Sequence, residues 1–179
     1  MTKRIYFDWN ATAPLRKEAR AAALAALDVN GNPSSVHGEG RAAHRLIELA
    51  REQVAALVGA QPRNVVFTSG GTEANTLALA PAAARDRLLV SAIEHPSVLA
   101  GGRFPFGSVE RLPVTGNGAL DLAALERRLA ALESRALVSL MLANNETGVV
   151  QPVAQAAQLI HATGRPARRR GSGRRSNSV

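Results

Sequence analysis

The chain is 179 residues long, 46% hydrophobic and 20% charged, a balance that suits a folded domain and not a disordered segment. It contains no cysteine, which excludes disulfides, thiolate metal sites and a thiol nucleophile from within it, and no apolar run is long enough to span a membrane. Of the net charge of +8, six charges belong to the six arginines of residues 165–179, which leaves +2 for residues 1–164.

The first residues, Met1 to Ile5, show no signal-peptide pattern, and a cytoplasmic location is expected. Ile5–Phe7 is a short apolar start. Leu15–Leu27 is Ala-rich and helical, with Pro14 placed for a first turn. Asn30 to Ser35 is dense in turn residues. From Glu39 to Val58 a long helix is predicted, with Leu46, Leu49, Ala50, Val54 and Leu57 on one face and Gly59 at its stop. Val65–Thr68 reads as a buried strand and Thr72 to about Ala84 as a helix. Leu88–Val90 is the next strand, Ser97–Ala100 a short helix, and Val109–Leu112 another strand. Asp121 caps a helix over Leu122–Leu132, Ala136–Leu142 is a strand, and Val153–Ala162 is the last helix. Strands alternating with helices specify an α/β domain.

Three loops stand out because each follows a predicted strand. Thr68 to Asn75 joins strand to helix through Gly70 and Gly71, where free amides and the positive end of a helix dipole suit an anion. The same residues also suit an ordinary turn capped by Thr72, and the spacing matches neither of the common nucleotide-binding glycine motifs. In Glu94-His95-Pro96-Ser97, the proline keeps His95 extended, at the edge where parallel sheets bind ligands. Asn144 and Asn145 offer adjacent amides at that edge, or a plain Asn/Gly turn with Gly148. His37 lines the cleft or closes a loop. His44 and His161 fall within helical patterns, and no His/Glu spacing supports a metal site.

Taken in order, five segments resemble the cysteine desulfurases of the class V aminotransferase group. They are Tyr6 to Pro14, Asn32 to His37, Ser69 to Asn75, Glu94 to Val98 and Asn144 to Gly148, and the resemblance covers about residues 4–164. It implies a pyridoxal 5'-phosphate enzyme of fold type I, here an incomplete three-layer α/β/α large-domain fragment. Residues 1–13 would be a segment of the small domain and 14–164 the partial cofactor-binding large domain. Such enzymes convert L-cysteine to L-alanine and pass the sulfur on as a persulfide for iron–sulfur cluster assembly. The resemblance further implies a homodimer, a sulfur-acceptor protein as partner, and no membrane or nucleic-acid partner. By the same resemblance Gly71 and Thr72 would hold the cofactor phosphate, His95 would stack on the ring and move protons, and Asn145 would bond the ring's phenolic oxygen. A Schiff-base lysine, a carboxylate on the ring nitrogen and a catalytic cysteine are also implied. None is matched here: Lys3 and Lys17 precede every cofactor motif and cysteine is absent, so the chain itself is expected to be inactive and to bind the cofactor weakly or not at all. Selenocysteine lyase or another class V enzyme is the alternative within the family.

The resemblance stops at residue 164. One permitted coding of residues 165–179, read one base later, gives Gly-Leu-His-Val-Asp-Ala-Val-Gln-Ala-Ala-Gly-Arg-Ile-Pro, resembling the strand that follows in the family. The third-position bases were free to choose, whereas the first and third bases of most shifted codons were fixed by the protein. The expectation is a one-base frameshift near codon 164 or 165 and a disordered, out-of-frame arginine-rich tail. The competing reading makes that tail a nucleic-acid-binding arm, though no aromatic residue interleaves with its arginines.

Overall fold

The computed structural model describes residues 5–82 and 85–163, and these divide into two compact units, the first ending at Phe67 and the second beginning at Thr68. In the first unit α1 (Lys17–Leu27) forms from an alanine-rich run with Glu18 in its first turn, where a carboxylate favours the helix dipole. Helix α2 (Gly38–Val58) starts under His37, whose side chain accepts from the Gly40 amide. It stops at Gly59, which takes a left-handed φ of 66° while the Ala60 amide bonds back to the Ala55 carbonyl at 2.8 Å. Leu46, Leu49, Val54 and Leu57 share a face as expected, yet all four are exposed, and the buried residues of α2 are the small Gly40, Ala43 and Ala55.

The predicted buried strand at Val65–Thr68 does not form. A strand needs a ladder partner. Here the Val65 carbonyl instead accepts from the Arg51 guanidinium, which also lies 5.1 Å from the centre of the Phe67 ring. Val66 and Phe67 are exposed. The apolar start at Ile5–Phe7 is likewise exposed and outside any regular element.

The second unit is a parallel three-stranded sheet with helices on both faces. Its elements are α3 (Gly71–Ala78), β1 (Arg85–Ser91), α4 (Pro96–Leu99), β2 (Val109–Leu112), α5 (Leu122–Ala130), β3 (Arg135–Ser139) and α6 (Val153–Thr163). The strand order is β2-β1-β3, with Leu88 opposite Val109 on one side and Leu137 on the other. Central β1 is apolar on both faces because both are covered. Leu89 packs with Leu112, Leu120, Leu125, Leu129 and Ala156 beneath α5 and α6. Leu88 and Val90 point the other way, into Leu79, Val98 and Phe104. At about 25 cal/mol per Å², complete burial of such a leucine contributes roughly 2 kcal/mol. The sheet therefore hangs on Leu88, Leu89 and Val90.

Two boundaries differ from expectation. Helix α3 ends at Ala78 and not near Ala84, because the Leu79 carbonyl is taken by the Arg103 amide at 2.7 Å and Pro81 follows; residues 83–84 lie outside the described residues. Strand β3 ends at Ser139 and not Leu142, where the chain turns into a loop closed by the Ala143 and Val150 bridge. The expected tail at 165–179 lies outside the described residues. Among those described, no helix is long and apolar enough to cross a membrane.

Candidate functional site

The N-terminus of α3 differs from those of α2, α4 and α5. Those three are capped by the side chains of His37, His95 and Asp121; at α3 the cap position is Gly70, with no side chain to occupy the first amides. The first helical bond runs from the Ala74 amide to the Gly70 carbonyl at 3.1 Å, so the amides of Gly71, Thr72 and Glu73 have no intrahelical acceptor. A side-chain carbon built on Gly70 or Gly71 would meet nothing within 4 Å, which leaves the approach to those amides open. Thr72 lies in the first turn and is exposed, so it is not the helix cap. Glu73 reaches back to the Ser69 amide and hydroxyl, both at 2.7 Å, and these bonds hold its carboxyl below the usual range. The chemistry of this donor set fits a phosphate group.

Strand β1 delivers the second loop. His95 is extended at φ −58° and ψ 145°, as the following proline requires, and caps the four-residue α4. Its Nδ1 lies 3.1 Å from the Ser97 amide and 2.7 Å from the Ser97 hydroxyl. Asn75, on α3, donates from Nδ2 to that hydroxyl at 2.8 Å. The preceding Glu94 is buried, and its Oε1 accepts from the Met141 amide at 2.7 Å. Burial pushes its carboxyl above the ordinary range, against the opposing effect of that amide.

Strand β3 delivers the third loop, and there the two asparagines separate. Asn144 is buried: its Oδ1 accepts from the Glu146 and Thr147 amides at 2.9 and 2.8 Å, and its Nδ2 donates to the Ile93 carbonyl at 3.1 Å. It is a scaffold residue. Asn145 is exposed on the turn that Asn144 builds.

The structure thus ties three loops together by side-chain bonds, Asn75 to Ser97, Glu94 to Met141 and Asn144 to Ile93, with Gly71, Thr72, His95 and Asn145 all exposed beside these ties. His37 belongs to the other unit, where Nδ1 meets Glu39 at 3.0 Å and the Gly40 amide. His44 and His161 are exposed on α2 and α6. Asn75, Glu94 and Ser97 lie within the motif segments, and nothing in their local sequence marks them as supports of the site.

The family described as "Aminotransferase class-V" matches residues 5–165. A cysteine desulfurase of Cereibacter sphaeroides is 47% identical over 173 residues, covering 90% of this chain and 44% of that protein. Human selenocysteine lyase is 33% identical over 192 residues, covering 89% of this chain and 42% of that protein. Among solved structures, a NifS-like protein from Rickettsia africae superposes with a TM-score of 0.76 at 32% identity, over 86% of this chain and 44% of that one. A serine palmitoyltransferase from S. paucimobilis, with a TM-score of 0.61 at 21% identity, shares the fold. The chain spans a little under half the length of the relatives it matches.

Proposed function

The chain belongs to the class V aminotransferase family, and on that premise we propose that it carries the phosphate- and ring-binding part of a cysteine desulfurase's pyridoxal-phosphate site. The observation that carries this is the uncapped, glycine-fronted N-terminus of α3, linked through Asn75 and Ser97 to an exposed imidazole. Gly71 and Thr72 would hold the phosphate with amides and hydroxyl, His95 would lie against the ring and move a proton, and Asn145 would bond the ring's phenolic oxygen. When bound, the cofactor supplies an electron sink for bond-breaking at the substrate's amino-bearing carbon. The chain's part is to orient that cofactor and give it a fixed electrostatic surrounding. Identity of 47% to a desulfurase against 33% to a selenocysteine lyase favours L-cysteine as the substrate of the whole enzyme. A homodimer and a sulfur-acceptor protein belong to the same reading.

The chain contains two lysines, Lys3 and Lys17, and no cysteine. We assign the covalent cofactor anchor and the thiol nucleophile to sequence outside these 179 residues, and take this chain alone to release no alanine from L-cysteine. A one-base frameshift near codon 164 or 165 would account for the sequence from Arg165 onward. Reading the coding DNA tests it: the shifted frame should continue through His-Val-Asp to a lysine and a cysteine, and early closure of that frame refutes it.

Equilibrium dialysis tests the binding role. Without the covalent anchor, pyridoxal phosphate should bind the chain weakly, Thr72→Ala should weaken it severalfold further, and pyridoxal lacking the phosphate should not compete. Equal binding of the two compounds, or no effect of Thr72→Ala, would remove the phosphate site. Thr72→Ala leaves α3 intact, since alanine is the better helix former.

A further inference from the structure

Two groups of Ser97 meet at one nitrogen of His95, and Asn75 meets one of those two; the backbone amide fixes the polarity of the rest. The Ser97 backbone N–H lies 3.1 Å from Nδ1, and a backbone amide only donates. Nδ1 is therefore an acceptor and carries no proton. The Ser97 hydroxyl, 2.7 Å from the same nitrogen, must then donate to it as well. With its one proton committed, Oγ has only lone pairs to offer Asn75, so Asn75 must turn its amide nitrogen toward it, 2.8 Å away. The neutral ring is left with its proton on Nε2, away from this cluster.

We propose that Ser97 and Asn75 are positioning residues that lock His95 in the Nε2–H tautomer with its ring edge fixed against α4. The lock has a second consequence. Asn75 sits one turn into α3, the helix whose first amides face the open approach at Gly71 and Thr72. One short helix thus sets both the anion-binding amides and the orientation of the imidazole, so a ligand seated on the amides finds the ring already turned. Nε2 becomes the only ring position through which His95 exchanges a proton with anything bound there. That catalytic meaning rests on the pyridoxal-phosphate reading; the lock itself does not. An unlocked imidazole samples both tautomers, and with the wrong one it presents a bare acceptor where a donor is needed.

The lock is read directly from the ring nitrogens. The full chain, labelled with 15N-histidine and held at alkaline pH, should show for His95 a single tautomer, with a protonated Nε2 and a bare Nδ1. His95→Ala assigns the signals among the four histidines. Ser97→Ala keeps the backbone N–H but loses the hydroxyl, so Nε2–H should remain the major form with a measurable Nδ1–H population beside it, and Ser97→Thr, which restores the hydroxyl, should return the single form. Asn75→Asp replaces the donor by an acceptor, reverses the pull on the Ser97 hydroxyl, and should move population toward Nδ1–H. A general loss of structure would not produce rescue by threonine or a reversal by aspartate. A wild-type His95 with its proton on Nδ1, or a Ser97→Ala spectrum matching wild type, overturns the inference whether or not pyridoxal phosphate binds. A single Nε2–H tautomer together with no pyridoxal phosphate binding overturns the functional reading and leaves the lock standing.

Discussion

Glu94 is the residue whose removal should disturb the sheet edge most, and the structure fixes both the size and the pH dependence of the effect. The residue is 7% exposed, and its carboxylate holds the Met141 amide at 2.7 Å, the bond that clamps the loop after β1 to the chain leaving β3. In Glu94→Ala the amide loses its partner. A buried donor left unsatisfied costs about 1–3 kcal/mol, and deletion of a poorly solvated charge offsets part of that, so the loss at neutral pH should be about 1–2 kcal/mol. Glu94→Gln keeps an acceptor oxygen and should remain within about 1 kcal/mol of wild type. Burial raises the Glu94 carboxyl above its unfolded value, so the folded chain binds its proton more tightly than the unfolded chain does. Between those two values the fold holds more protons, and stability falls as pH rises. The other perturbed carboxylates are common to wild type and Glu94→Gln and cancel. Urea unfolding followed by circular dichroism, from pH about 4 upward, should therefore show wild type losing ground to Glu94→Gln with increasing pH. A difference that moves in wild type's favour as pH rises would refute burial as the dominant influence. Equal stability of Glu94→Ala and wild type at neutral pH would refute the clamp.

Three further outcomes follow from particular contacts. At Gly102 the backbone is left-handed, with φ 60°, and a side-chain carbon would run into the Leu79 carbonyl. Gly102→Ala should then lose about 2 kcal/mol or more in equilibrium unfolding, from backbone strain of roughly 1–2 kcal/mol plus the clash, and unchanged stability would contradict the packing. Arg128 makes two bonds to Glu110, at 2.5 and 2.6 Å, with both side chains about a third exposed. Arg128→Ala should cost about 0.5–1 kcal/mol, and less in high salt. Arg128 holds the Glu110 carboxyl below its ordinary range. This contribution is therefore complete above the unfolded carboxylate value and disappears as pH falls through the lowered one; a loss insensitive to both salt and acid would point to packing alone. Asp121 caps α5 by accepting from the Ala124 amide at 2.9 Å, and Asp121→Ala should destabilise by about 1 kcal/mol, measured by the same unfolding assay.

What was legible in the sequence was local. The extended His95 follows from Pro96 beside it, the cap of α5 from Asp121 ahead of an apolar run, and the end of α2 from Gly59, each settled within a few residues. The errors are non-local. Helix α3 stops where it does because Arg103 claims the Leu79 carbonyl from 24 positions away, and propensity in the run after Thr72 carries no trace of that. Val65–Thr68 has the composition of a buried strand, but composition does not supply a ladder partner, and Arg51 on α2 engages the Val65 carbonyl instead. The pairing of Asn75 with Ser97 spans 22 residues and two helices. Each residue alone reads as an ordinary helix-start polar side chain.

Beyond the strand ends, each outward-facing site residue stands directly after a buried polar support. In the turn after β1 Glu94 is buried and His95 exposed; in the loop after β3 Asn144 is buried and Asn145 exposed. The two buried members reach across to each other's backbone: Glu94 takes the Met141 amide, and Asn144 gives to the Ile93 carbonyl. Each loop is thus held by a polar side chain from the other, and each holder lies immediately before the residue that faces outward. Motif resemblance singles out the outward residues, because they bear the chemistry. Position is set by the inward ones, and a polar residue is tolerated there because its hydrogen bonds are satisfied by backbone that would otherwise be buried unpaired. Loss of either tie should therefore displace its own loop and deprive the other of a partner, which makes Glu94 and Asn144 coupled determinants of where His95 and Asn145 stand.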